Sequence, residues 1–182
     1  AFTNVGQGKK RVSFASPYTG KIIKFDLSQL GGKIIAQKDA FLCSAKGVSI
    51  GIEFQRKLGT GIFGGEGFIM QKLEGDGLAF AHAGGFVVER QLQPGEVLKV
   101  DTGCVVAYTP NIDFDIEMVK GIKNFMFGGE GLFFAKLTGP GHVWLQSLPI
   151  SRLAGRIMQY GTYKRKEEGG ILGGIGNLLD GR

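Results

Sequence analysis

The sequence predicts an all-β protein built of repeated β-sandwich units and ended by one short C-terminal helix. Three observations carry this. First, 32 of the 182 residues are glycine and 14 are phenylalanine, with no Gly-X-Y period and 5 prolines; that composition suits turns and bulky apolar strands rather than collagen or a disordered chain. Second, apolar residues alternate with a period of two, as at Ile50, Ile52 and Phe54 between Ser49, Gly51 and Glu53, the pattern of a strand with one buried face. Third, Phe63-Gly64-Gly65-Glu66-Gly67 recurs 64 residues later as Phe127-Gly128-Gly129-Glu130-Gly131, and such a fixed period marks a module used more than once.

The elements follow along a body of residues 1–148. A partial first unit, residues 1–29, contributes only its end: Phe14-Ala15 followed by Gly20-x-Ile22-Ile23 matches Phe80-Ala81 followed by Gly85-x-Val87-Val88. Phe2-Thr3 aligns with Leu137-Thr138, which sets Ala1 past the place of a first FGGEG box. The native chain is therefore expected to begin further upstream. The second unit, residues 30–91, opens with Gly32-x-Ile34-Ile35. Its counterpart in the third unit, residues 92–148, is Gly95-x-Val97-Leu98 at an offset of 63, placing Asp39-Ala40-Phe41-Leu42 beside Thr102-Gly103-Cys104-Val105.

Next in each unit comes the alternating strand, where Ile50, Ile52 and Phe54 align with Phe114, Ile116 and Met118, and then the FGGEG box. Lys72-Leu73-x-Gly75-x-Gly77 follows in one copy and Lys136-Leu137-x-Gly139-x-Gly141 in the other. Gly-Gly pairs and β-branched runs leave no window for a long helix up to residue 148. Residues 149–160 are the exception. Ile150, Leu153 and Ile157 recur at helical spacing behind a candidate cap at Ser147, which predicts a short closing helix. Residues 161–182 read as a basic, glycine-rich tail.

The charge balance is 22 basic against 16 acidic residues, a net +6, enough for weak attraction to anions without the dense stripe of a dedicated nucleic-acid binder. Weak basic patches stand at Lys9, Lys10 and Arg11, near Lys21 and Lys24, and at Lys164, Arg165 and Lys166. They could touch phosphate or an anionic membrane surface, but a charged turn explains them as well. Nucleic acid is thus a conceivable partner that the sequence does not indicate. Cys43 and Cys104 lie in apolar, strand-like stretches with no CxxC or disulfide framework, which suits a reducing interior. No run of 18 apolar residues and no signal peptide is visible. The expectation is a soluble, cytoplasmic protein of bacterial type.

The chemistry of sites is sparse. The FGGEG boxes, at Gly64, Gly65, Glu66 and Gly67 and again at Gly128, Gly129, Glu130 and Gly131, could bind a ligand through open backbone and a carboxylate. A structural turn explains the duplication better, because catalytic copies normally diverge in role. Gly59-Thr60-Gly61-Ile62-Phe63-Gly64 satisfies GxGxxG, yet no helix follows it and the second copy lacks its first two glycines, so it is read as coincidence. His82 and His142 do not occupy matching repeat positions and read as isolated polar or half-buried groups. Asp113, Asp115 and Glu117 line one strand face and read as a solvent face rather than a cation site. No metal site, cofactor, small-molecule substrate or catalytic set emerges, and the chain is read as a non-enzyme.

The repeated FGGEG-x5-L-x-G-x-G pattern resembles the mitochondrial biogenesis family, also called altered inheritance of mitochondria. So do the stretch Phe14-Ala15-Ser16-Pro17-Tyr18-Thr19-Gly20-Lys21-Ile22-Ile23, the segment Leu148-Pro149-Ile150-Ser151-Arg152-Leu153-Ala154, and the glycine-rich tail. The resemblance covers nearly the whole chain. It implies a fold similar to that of the tryptophan RNA-binding attenuation protein (TRAP), with sandwich units repeated inside one chain, and ring-like assembly. For mitochondrial relatives it implies a part in inner-membrane organisation, and it brings no catalytic residue. The expected function is a non-catalytic β-repeat scaffold or binding protein that self-assembles as a homo-oligomer. The alternatives are a ring that binds single-stranded RNA and a peripheral membrane-associated organising protein.

Overall fold

The computed structural model describes residues 1–56, 67–118, 133–158 and 160. Among these residues the strands are β1 (Gly20–Asp26), β2 (Lys33–Gln37), β3 (Phe41–Ser44), β4 (Ser49–Arg56), β5 (Phe68–Glu74), β6 (Leu78–Gly84), β7 (Val87–Leu92), β8 (Val97–Asp101), β9 (Val105–Tyr108), β10 (Asp113–Met118), β11 (Phe133–Thr138) and β12 (Gly141–Gln146). The protein is all-β, as the sequence predicts. A six-stranded sheet runs in the order β4-β5-β2-β9-β12-β7, and two three-stranded sheets run β1-β6-β3 and β10-β11-β8. All pairings are antiparallel.

The large sheet carries a small sheet on each face, and side chains that alternate along its strands divide between two cores. Ile34 and Ala36 of β2 join Phe25, Leu73, Ala79, Ala81, Ala83 and Trp144 on the side of β1 and β6. Ile35, one residue along, joins Phe68, Met70, Ile116, Ala135 and Leu137 on the side of β10 and β11. Val106 and Ala107 of β9 belong to the first core, and Val105 and Tyr108 to the second. Strands covered on both faces must be apolar throughout, so Ile34-Ile35-Ala36 and Val105-Val106-Ala107-Tyr108 show no polar alternation. The three buried alanines of β6 leave room in the first core for Phe25 to meet Trp144 edge to face at 5.0 Å. The ends of the strands are packed as tightly. A Cβ on Gly84 would lie 2.0 Å from the Leu148 carbonyl oxygen, so only glycine lets the chain after β12 pass there.

Sequence-drawn unit boundaries cut across the sheets. β1, from residues 1–29, pairs with β6, and β7, from residues 30–91, pairs with β12. The elements that follow β2 and β8 correspond at an offset of 64 rather than the expected 63. A 3-10 turn at Lys38–Ala40 matches one at Thr102–Cys104. Each is held by the residue before it: Ala40 N–H donates to Gln37 Oε1 at 3.0 Å, and Gly103 N–H to Asp101 Oδ1 at 2.8 Å. Cys104 therefore lies in a turn, not in the strand-like stretch expected for it.

Two further expectations are corrected. Ile50 and Ile52 were to line a buried face of β4, yet they are 48% and 59% exposed. A register shift between Ile52 and Phe54 turns the strand over, so that Phe54 enters the second core while the two isoleucines face outward. The helix α1, residues 150–158, is present, but most of its predicted apolar stripe is exposed. Ile150 is 41% and Ile157 63% exposed, and only Leu153 of the predicted stripe is half-buried. Its first turn is closed on Pro149, whose carbonyl accepts from Arg152 and Leu153 N–H at 3.0 and 3.2 Å. Ser147 does not cap it, because the Ser147 hydroxyl accepts from Phe86 N–H at 2.8 Å. Among the described residues the Arg152 guanidinium contacts the Asp101 carboxylate and so links α1 to β8.

Candidate functional site

Most of the residues singled out in the sequence as binding candidates fall outside the described residues: Gly64, Gly65, Glu66, Gly128, Gly129, Glu130, Gly131, Lys164, Arg165 and Lys166. Gly67 is described. It is buried, has φ +79° and leads directly into β5, a backbone shape that suits glycine at a strand entry. Lys9, Lys10 and Arg11 are exposed in an irregular N-terminal segment. The rings of Phe2 and Phe14 meet edge to face on either side of them in sequence, with centroids 5.4 Å apart. Lys21 lies over the exposed ring of Phe86 at 5.3 Å.

The acidic face of β10 is shared with cations. Arg56 Nη1 donates to the Ile116 carbonyl at 2.6 Å and reaches Asp115 Oδ1 at 3.4 Å, and Lys99 Nζ donates to Glu117 Oε2 at 2.6 Å. Among the described residues no group of three His, Cys, Asp or Glu side chains is placed to hold a metal ion. The histidines differ sharply. His142 Nδ1 stands 3.3 Å from Glu89 Oε1 at the surface. His82, expected to be isolated and at most half-buried, is 2% exposed, packs edge-on to Tyr18 at 4.3 Å and has no well-formed hydrogen bond at either ring nitrogen. Desolvation holds its pKa below the ordinary value, with the Tyr18 backbone offsetting this in part.

A shallow pocket forms where the two 3-10 turns approach the start of α1, lined by Tyr18, Gln37, Asp39, Gln146, Pro149 and Ser151 among others. Its polar groups serve the fold. Gln146 Oε1 accepts from Gly84 N–H at 2.7 Å and its Nε2 donates to the Gly103 carbonyl at 2.8 Å, while Gln37 Nε2 donates to Asp39 Oδ2 at 3.1 Å. Burial, with Asp39 beside it, pushes the Tyr18 hydroxyl up. Burial also raises both thiols, Cys104 with further help from Asp101 and against Arg152, which makes both sulfurs weak nucleophiles near neutral pH.

The surface with the most to offer is the set of strand edges. Among the described residues each small sheet ends in strands paired on one side only, and such edges are templates for another strand. β1 carries Lys21 and Lys24, β7 carries Glu89 and Arg90, and β10 carries Asp113, Asp115 and Glu117, charges that oppose edge-to-edge pairing. β3, Phe41-Leu42-Cys43-Ser44, carries none. Large apolar side chains also stand exposed near open edges: Ile50, Ile52, Met118 at 55% and Val97 at 48%. Sequence reasoning did not mark these as a surface, because alternation identifies a strand's apolar face without saying whether another layer covers it.

The comparisons agree with this architecture. A crystal structure of a Streptococcus pyogenes protein superposes with a TM-score of 0.66 at 25% identity, over 80% of this chain and 62% of that one. An uncharacterized protein of Streptococcus pyogenes serotype M6 is 27% identical over 158 residues, which is 86% of this chain and 61% of the relative. The chain thus spans about three-fifths of the length of the relatives it matches. The family model of mitochondrial biogenesis AIM24 matches residues 1–148, and the chain belongs to that family.

Proposed function

We propose that this member of the AIM24 family is a non-catalytic scaffold or binding protein of the bacterial cytoplasm. In this reading it is built of repeated sandwich units of TRAP-like type and self-assembles through its open sheet edges. One observation carries the reading. β2 and β9 pair with each other at the centre of the large sheet, whereas β8 and β3, which stand 64 residues from them in either direction, are each paired on one side only among the described residues. The non-catalytic part is supported by the raised thiols, the burial of His82 and the polar groups of the α1 pocket being engaged with one another. Light scattering across a wide concentration range tests the assembly. A mass that rises to a multiple of one chain is expected, and the mass of one chain throughout refutes it.

The exposed N-terminal segment favours a second reading, an anionic partner such as single-stranded RNA. Three cations lie between two aromatic residues there, a combination suited to phosphate and base stacking. Filter binding that weakens steeply with added salt, and is lost when Lys9, Lys10 and Arg11 become Ala, supports it; salt-insensitive retention refutes it.

A further inference from the structure

We propose that His82 is a proton-operated latch: uptake of a proton by its buried ring displaces Tyr18 and frees the segment before β1, residues 1–19, from β6. The latch does not depend on self-assembly.

β6 and β12 are the same strand of two modules, and their ladders coincide residue for residue. Phe41–Ala81, Cys43–Phe80 and Ser44–Ala79 between β3 and β6 become Val105–Leu145, Ala107–Trp144 and Tyr108–Val143 between β9 and β12 on adding 64 to each number. That register puts His82 where β12 has Gln146. The Gln146 amide accepts from Gly84 N–H at 2.7 Å and donates to the Gly103 carbonyl at 2.8 Å, fastening the end of β6 to a 3-10 turn. An amide does this at any pH. A neutral imidazole likewise offers one acceptor and one donor, but an imidazolium offers two donors and no acceptor. The position that ignores pH in the second module is titratable in the first.

His82 is 2% exposed, and among the described residues neither ring nitrogen has a well-formed hydrogen bond. Ala79, Ala81 and Ala83 turn into the first core, so His82 lies on the opposite side of β6. Two things cover it there. The main chain at Gly20 passes so close that a Cβ would lie 2.6 Å from Nε2, and the Tyr18 ring stands edge-on at 4.3 Å. The groups able to carry charge on the elements packed against β6 are Tyr18, then Lys21, Lys24 and Asp26 of β1, Cys43 of β3, and Lys38 and Asp39 of the first 3-10 turn; β9 and β12, with Tyr108 and His142, meet its alanine side. Asp39 receives Gln37 Nε2 at 3.1 Å and Asp26 the Ser28 hydroxyl at 2.6 Å, and among the described residues no carboxylate pairs with His82. A charged ring left in this place is costly. The cheapest relief is local. Among the described residues no main-chain hydrogen bond ties residues 1–19 to a strand, and the bond at Tyr18, from the Ser16 hydroxyl to its carbonyl at 3.1 Å, is internal to the segment. Moving Tyr18 aside admits water to the imidazole and leaves both cores in place.

An open form titrates near 6.5, so its population relative to the closed form rises by up to about 30-fold between about pH 7.5 and about pH 5. Two NMR signals read this in the full chain: the ring proton of His82, and the fluorine of Tyr18 in protein labelled with 3-fluorotyrosine, assigned with His82→Gln and Tyr18→Phe. Both are expected to shift with one midpoint as pH falls from about 7.5 to about 4.5, while Trp144 fluorescence stays constant. His82→Gln, which copies the side chain of Gln146, should hold the Tyr18 signal constant over that range. Tyr18→Ala, which removes the cover, should raise the His82 midpoint to about 6.5. A Tyr18 signal that does not move in the unsubstituted chain, or that moves equally in His82→Gln, overturns the latch, and so does a His82 midpoint that Tyr18→Ala leaves unchanged.

Discussion

Leu73 and Leu137 occupy matching places in the two cores, each fully buried, and truncating them one at a time asks whether the cores are independent. Leu→Ala removes about three buried carbons, worth about 2.4 kcal/mol at roughly 0.8 kcal/mol per carbon. The cavity left behind brings the cost to about 3–5 kcal/mol. With a urea slope of about 2 kcal/mol/M, the unfolding midpoint should fall by about 1.5–2.5 M. Trp144, the chain's one tryptophan, sits in the first core against Phe25, so its fluorescence reports that core, while far-ultraviolet circular dichroism reports all strands. β2 and β9 contribute residues to both cores. Neither core can unfold without stripping one face from the same two strands. Leu137→Ala, in the core without the tryptophan, should therefore shift the fluorescence transition as far as the dichroism transition. A fluorescence midpoint that stays put while the dichroism curve splits would refute the shared-sheet account.

Three more outcomes follow from particular contacts. His82 is neutral and buried with its pKa lowered by desolvation, whereas the unfolded histidine titrates near 6.5. Its penalty is thus absent above about pH 6.5 and grows as pH falls below that value toward the lower folded pKa, because the unfolded state binds the proton first; His82→Leu should flatten the urea midpoint against pH in this window, and an unchanged slope refutes the assignment. Arg152→Ala should release α1 to protease or hydrogen exchange while moving the global stability by less than about 1 kcal/mol, since exposed ion pairs are worth about 0–1 kcal/mol; a large global loss would refute this local role for the pair. Gly84→Ala should destabilise by about 1–3 kcal/mol, as overpacking does, because its Cβ would meet the Leu148 backbone, and a neutral result in denaturant titration would contradict that close approach.

Much of the fold was legible because strand formation is local. Period-two runs gave β4 and β10, and the 64-residue recurrence set Ile50, Ile52 and Phe54 beside Phe114, Ile116 and Met118. The candidate site was much less legible. The FGGEG boxes drew notice because they repeat, yet apart from Gly67 they lie outside the described residues. Met118, Ile50 and Ile52 passed as ordinary core positions. Ser147 read as a helix cap because a hydroxyl before an apolar run commonly serves as one, but Phe86 N–H claims it from a neighbouring strand.

The amino-acid order alone determined the all-β class, the recurrence of elements and the short helix after Pro149, since each depends on backbone preference and the spacing of neighbouring side chains. Tertiary structure decided which strands have a sheet on both faces and which on one, that His82 is sealed in, and that β3 and β8 are paired on one side only among the described residues. The reason is physical: alternation fixes which way a side chain points, whereas burial depends on whether a layer from distant sequence arrives to cover it. Phe114 meets Phe54 within the chain, and Ile50, its counterpart 64 residues earlier, meets solvent.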